Sequence, residues 1–324
     1  MSKEEPTIDV LDIEPEFKER LKNAGIFYLR DILICTITEL MHILKVDDET
    51  VMRILNETSE LLEKLMPKEH GVLTLEDLEE IDKRKIFLHT GSKNLDEMLR
   101  GGWASMEVTE LAGEYGTGKT QTCYTAVATA FLPPEEGGLN TGDISVAIID
   151  SENVFSYKRL EPILRRFDID LKAIKERLII KKPKHTAEQL QTIRSLLPEI
   201  RKDNIRLIIV DSLTKYPRTD FSGRQLLYTR QRAIISMVER LRRYAINFNL
   251  IVLITNQVVS VPDTTKGVTI RPVGGHVLGH NVDTRLLFTS VRDNIKRVKI
   301  IDSSWLPPLE TRIKITEAGI TDPE

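Results

Sequence analysis

The chain has 324 residues, and its 46 Lys and Arg against 49 Asp and Glu leave a net charge of −3. At 41% hydrophobic and 29% charged residues it has the balance of a globular protein of about two domains, which excludes collagen-like, disulfide-framework and wholly disordered chains. Cys35 and Cys123 stand far apart with no C-x-x-C spacing, so a cysteine zinc site is excluded and a reducing, cytoplasmic setting is expected. No run of 18 apolar residues predicts a membrane span, and MSKEEPTIDV does not read as a signal peptide.

Taken in chain order, residues 1–70 read as a small all-helical module. Phe17–Ala24 is short and charged, Leu29–Leu44 carries apolar residues at helical spacing, and Glu49–Met66 repeats Val51, Leu55, Leu61, Leu62 and Leu65. Asp47, Asp48 and Glu49 mark a helix start, where acids complement the dipole. This segment holds 9 basic and 16 acidic residues, or −7, so residues 71–324 carry +4. The predicted boundaries are a helical domain over 1–66, a charged linker over 67–88 and a core over 89–324.

Beyond Thr90, short apolar runs alternate with helical segments. Strands are predicted at Val108–Ala112, Ile144–Asp150, Leu178–Ile180, Leu207–Asp211 and Leu250–Thr255. Helices are predicted from the glycine turn to Phe131, near Lys158–Phe167, over Ala187–Arg201 and over Gln225–Ala245. Continuous apolar strands between helices imply a mostly parallel sheet covered on both faces. Arg285–Thr289, Arg297–Ile301 and Arg312–Thr316 read as strands on short connections, hence an antiparallel or mixed edge. The fold class is α/β with a small all-α N-terminal domain.

Gly113, Glu114, Tyr115, Gly116, Thr117, Gly118, Lys119 and Thr120 match G-x-x-x-x-G-K-[ST] between a predicted strand and a helix. Glycines let backbone N–H groups curl round phosphates, and the helix N-terminus adds positive potential. Lys119 can bridge β- and γ-phosphate oxygens of ATP, and the Thr120 hydroxyl can ligate Mg²⁺. Asp211, closing an apolar strand, is the second candidate metal ligand, because ligands of open α/β sheets bind at that strand edge. Asp150 and Glu152 are both candidates for the base that activates water, Asp150 fitting a capping role more readily. Asn256 and Gln257 close another strand and bring an amide towards the γ-phosphate. Arg224, Arg230, Arg232, Arg240, Arg242 and Arg243 concentrate in one stretch with Glu239 as its acid. Such cations bind phosphates without sequence preference.

In this order the motifs resemble the archaeal RadA family of RecA-fold strand-exchange recombinases. The likeness rests on GEYGTGKTQ (Gly113–Gln121), LPPEEGGLN (Leu132–Asn140), Asp150–Asn153, IIVDSLT (Ile208–Thr214), Arg230–Gln231, TNQV (Thr255–Val258), GGHVLGH (Gly274–His280), IIDSSWLP (Ile300–Pro307) and ITEAGITD (Ile315–Asp322). It implies a DNA-dependent ATPase that binds single-stranded DNA and forms homo-oligomers or filaments. It also implies Glu152 as the water-activating residue and Gln257 as the link from the γ-phosphate to DNA. Arg218, Arg224 and Arg230 match the first DNA loop, and Lys266 and Arg271 fall in the second, at Val258–Gly274. Asp302 matches an element that reaches the neighbouring protomer's nucleotide.

The sequence also departs from the family. The Phe-x-x-Ala assembly motif reads Val72 and Leu75, the N-terminal hairpin Leu11–Pro15 lacks glycine, Ser156 replaces an arginine expected at the adenine, and Lys266 replaces an aromatic. These departures leave a second expectation open, a mediator paralogue that serves a related recombinase without forming long filaments of its own.

Overall fold

The computed structural model describes residues 5–66, 73–263 and 267–324. Two compact units result, Met1–Lys85 and Ile86–Glu324. No helix among the described residues is long and apolar enough to cross a membrane.

The first unit is helical: α1 (Pro15–Asn23), α2 (Leu29–Ile34), α3 (Ile37–Leu44), α4 (Asp48–Leu65) and α5 (Leu75–Lys83). Leu29–Leu44 is two helices because Thr36 starts a new one. Its hydroxyl accepts from the Glu39 N–H, and the Glu39 carboxylate accepts from the Thr36 N–H at 2.8 Å, a reciprocal box that satisfies two otherwise orphaned donors. Asp47 caps α4 by a single bond, its carboxylate accepting from the Thr50 N–H at 2.9 Å. Ile8, Leu21, Ile32, Leu40, Leu44, Ile54 and Leu62 meet in a fully buried core. In the glycine-free hairpin, the Asp12 N–H donates to the Glu57 carboxylate at 2.6 Å.

The second unit is built on a nine-stranded sheet. Its strands are β3 (Glu107–Gly113), β4 (Ser145–Asp150), β5 (Leu178–Lys181), β6 (Ile205–Asp211), β7 (Ile251–Asn256), β10 (Thr284–Arg292), β11 (Ile295–Ser303), β12 (Glu310–Thr316) and β13 (Gly319–Thr321). Their order is β13-β12-β11-β10-β3-β7-β6-β4-β5. The six strands from β10 to β5 run parallel, and β11, β12 and β13 add an antiparallel edge. Every residue of β3, β4 and β7 is buried, as expected where helices cover both faces of a sheet. A short antiparallel pair, β1 (Phe87–Leu88) with β2 (Trp103–Ala104), precedes it.

The helices of this unit are α6 (Lys93–Met98), α7 (Lys119–Ala130), α8 (Tyr157–Arg166), α9 (Leu171–Ile174), α10 (Thr186–Arg194), α11 (Leu196–Lys202), α12 (Lys215–Asp220), α13 (Leu227–Phe248) and α14 (Gly275–Gly279). Helix α7, which the glycine turn opens, is buried from Thr122 to Ala130. Apart from Tyr124, whose hydroxyl donates to the Val154 carbonyl at 3.2 Å, these residues are small, and the buried threonine hydroxyls donate back to carbonyls one turn earlier. The segment expected as one helix over Ala187–Arg201 is two, α10 and α11, separated at Ser195. The larger difference lies at Val258–Gly274, expected as a loop. Here β8 (Val258–Asp263) and β9 (Gly267–Pro272) form an antiparallel pair. The segments VVSVP and GVTI are rich in valine and isoleucine, the β-branched residues that favour strand pairing.

Candidate functional site

The C-terminal ends of β3, β4, β6 and β7 open on one cleft of about 400 Å³. Its wall includes Tyr115, Gly116, Gly118, Lys119, Thr120 and Gln121 from the glycine turn, with Glu152, Asp211 and Gln257 from three other strand ends. All nine are site residues expected from the sequence. Gly116 and Gly118 take φ of +75° and +97°, a conformation that glycine adopts without penalty. A Cβ on Gly116 would meet open space, so the backbone itself forms the cradle there. Gly113 and Glu114 shape the turn from behind, since their carbonyls accept from Lys119 Nζ at 2.8 and 2.7 Å. The buried Thr117 hydroxyl donates to the Glu114 carbonyl at 2.7 Å. Tyr115, at the tip of the turn, is fully exposed.

Burial holds the Lys119 ammonium below its ordinary value, partly offset by the Asp211 carboxylate. Its carbonyl partners are neutral, so an incoming polyphosphate would meet a cation lacking a full counter-charge. The Thr120 hydroxyl donates to Asp211 Oδ2 at 2.7 Å, and the Thr255 hydroxyl donates to Oδ1. Burial raises the Asp211 carboxyl, the two hydroxyls pull it down, and the Glu152 and Asp150 charges push it up. A hydroxyl and a carboxylate oxygen are hard donors, the set that Mg²⁺ takes with one or two protein ligands, waters and phosphate oxygens. The residues present therefore fit an ATP–Mg²⁺ site.

The two candidate bases separate. Asp150 accepts from the backbone N–H groups of Val154 and Phe155 at 3.2 and 3.0 Å and pairs with Lys182 at 3.3 Å, so it caps the turn after β4. Glu152 lines the cleft. It accepts from the Ser212 hydroxyl at 2.8 Å and lies 3.9 Å from Lys215 Nζ, which also donates to the Ser151 carbonyl at 2.7 Å. The two amides separate as well. Asn256 borders the cleft but is fully buried and its amide is consumed, donating to Glu110 and the Val273 carbonyl and accepting from Thr214. Gln257 faces the cleft, and its Oε1 accepts from Arg218 on α12.

The remaining expected residues lie elsewhere. Arg224 and Arg271 are exposed, Arg230 is half-buried, and Asp302 stands on the exposed part of β11, away from the cleft residues of its own chain. Leu75 begins α5 and is 84% exposed. Val72 and Lys266 lie outside the described residues. Sequence reading did not single out Ser212 and Lys215, which flank Glu152, although both follow Asp211 closely. Nor did it find Asn294, Lys296 and Ile315, which bring β11, β12 and the turn before them to the cleft. Asn294 and Lys296 belong to no motif, and Ile315 opens the ITEAGITD run, where nothing local marks it as a cleft residue.

Fold and cleft together define the class: a RecA-type P-loop domain, with a parallel sheet, an antiparallel C-terminal edge and a phosphate-binding turn opening α7. A family model described as Rad51 matches residues 82–323. The chain is 33% identical over 316 residues to the DNA repair and recombination protein RadA of Aeropyrum pernix, covering 98% of this chain and 96% of that protein. It is 32% identical over 314 residues to the RadA protein of Ignicoccus hospitalis, covering 96% and 94%. The chain belongs to the Rad51 family of RadA-type recombination proteins.

Proposed function

We propose that this chain is an ATP-dependent recombinase that binds single-stranded DNA and promotes homologous pairing and strand exchange in DNA repair. One observation carries the proposal. The cleft that collects Lys119, Thr120, Asp211 and Glu152 also contains Gln257, and Gln257 is held by Arg218 at the base of the first arginine-bearing segment.

Each residue has a task. Lys119 exchanges the neutral Gly113 and Glu114 carbonyls for anionic phosphate oxygens, so that both partners of each contact are charged. Thr120 and Asp211 would hold Mg²⁺, whose charge offsets that of the phosphates when it is bound. Glu152 orients the attacking water and accepts its proton, with Ser212 and Lys215 fixing the carboxylate. The NH₂ of Gln257 is the donor positioned to respond to the γ-phosphate, and its carbonyl transmits that response to Arg218. Arg224, Arg230 and Arg271, with Lys266, supply phosphate contacts that are indifferent to sequence, as strand exchange requires. Asp302 would reach the nucleotide of a neighbouring protomer.

A DNA-dependent ATPase assay run beside a strand-exchange assay tests this reading. Stimulated hydrolysis with exchange is expected; tight ATP binding without exchange would sink it. The second reading, a mediator that acts on a related recombinase, draws on Leu75. That side chain is 84% exposed on a helix that buries none of its residues. The −7 charge of residues 1–70 and the Asp12–Glu57 hydrogen bond favour a protein partner over a phosphate backbone for the N-terminal domain.

A further inference from the structure

The start of α13 has a surface that the nucleotide site does not explain. Residues 222–229 are all exposed, and Leu226, Leu227 and Tyr228 are 42%, 40% and 69% exposed. Successive helical residues point about 100° apart, so three in a row in water means that no face of this first turn is packed. A single exposed apolar residue is ordinary, but a consecutive run normally has a function. The charge around it is one-sided. Between Phe221 and Val238 the sequence has Arg224, Arg230 and Arg232 and no acidic residue. The Arg232 guanidinium lies 5.7 Å from the Tyr228 ring centroid, one turn along the helix.

We propose that Tyr228 is a stacking platform for a base of single-stranded DNA, with the Arg232 guanidinium beside its ring. This rests on the recombinase reading above and adds a residue that the arginines alone would not require. Arginines at this surface grip the polyanion, and a ring with free area stacks on any base because every base has a π-face. Stacking of that kind adds affinity without reading sequence. The absence of acids over 221–238 favours a nucleic acid over an acidic-faced or neutral protein partner.

The test uses the full chain with ATP and Mg²⁺, a 30-nucleotide dT oligomer and an abasic oligomer of the same length. Wild type should bind dT more tightly than the abasic strand. Tyr228→Ala should lower dT affinity about 5- to 150-fold while leaving abasic binding and the salt slope in place. Tyr228→Phe should restore dT affinity. Tyr228→Trp should give a fluorescence change on dT, absent with the abasic strand and absent in wild type. Equal loss on both oligomers, or no loss on either, overturns the inference while leaving the recombinase reading intact. Unchanged DNA binding combined with lost self-association would reassign the ring to a protein contact. A wild type that binds neither oligomer overturns the recombinase reading and this inference together.

Discussion

Asn256 donates its side-chain amide to Glu110 at 2.6 Å, and both residues are fully buried. The same amide donates to the Val273 carbonyl at 2.7 Å, just beyond β9, while its Oδ1 accepts from Thr214, just before α12, at 2.8 Å. One side chain thus ties the roots of both proposed DNA-binding segments to the central strand β3. Its neighbour Gln257 faces the cleft. Asn256→Ala would strand Glu110 Oε1 and the Thr214 hydroxyl and should cost about 1–3 kcal/mol in urea unfolding. Gln257→Ala should change stability by less than about 0.5 kcal/mol yet abolish the stimulation of ATP turnover by DNA. Equal destabilisation by the two substitutions would refute this division of labour.

Lys119→Ala removes the cation of the phosphate cradle. Charge-assisted hydrogen bonds contribute about 1.5–3 kcal/mol each, so losing two should weaken nucleotide binding at least about 100-fold. Titration with a fluorescent ATP analogue measures it directly.

Glu152→Gln keeps an acceptor for the Ser212 hydroxyl but cannot take a proton from water. Turnover should fall about 10²- to 10⁴-fold with nucleotide affinity preserved, and complexes with single-stranded DNA should persist longer. Hydrolysis at the wild-type rate would place the base elsewhere.

Asp211 has a distinct pH signature. Its carboxyl is raised in the fold, chiefly by burial, so the folded state binds this proton more tightly than the unfolded chain does. The associated stability is present in full below the ordinary carboxylate range and is lost as pH rises through the folded value. Asp211→Asn does not titrate there. Without nucleotide, the variant's stability relative to wild type should therefore increase from pH 4 towards neutrality. With ATP and Mg²⁺ added, the order should reverse, because the variant lacks the carboxylate proposed to hold the metal. Denaturant melts across pH, with and without nucleotide, read both effects.

Val72→Phe combined with Leu75→Ala restores the aromatic and small residues of the family's assembly motif. An aromatic anchor buries about 150–250 Å², so light scattering with ATP and single-stranded DNA should show larger assemblies. An unchanged mass would mean that the receiving surface has adapted to the present pair.

Much of this protein is legible in one dimension. The glycine turn before α7, the apolar strands ending in Asp150, Asp211 and Asn256, and the −7 and +4 division all follow from local pattern, because strand burial and phosphate cradles require particular residues at fixed spacing. The breaks at Thr36 and Ser195 escape apolar periodicity, since a capping box or a turn interrupts a helix without interrupting its apolar pattern. The β8–β9 pair is equally hidden, although the β-branched residues of both strands are compatible with it.

Sequence alone determined the α/β class, the phosphate-binding turn and the family resemblance, because each depends on neighbours in the chain. Tertiary structure separates Asp150 from Glu152, and Asn256 from Gln257, by their partners, because only packing determines which group is consumed by hydrogen bonds and which keeps free capacity at the cleft. It also brought Lys296 and Ile315 to the nucleotide cleft from strands nearly 200 residues beyond the glycine turn. Only the order of strands in the sheet makes that meeting possible.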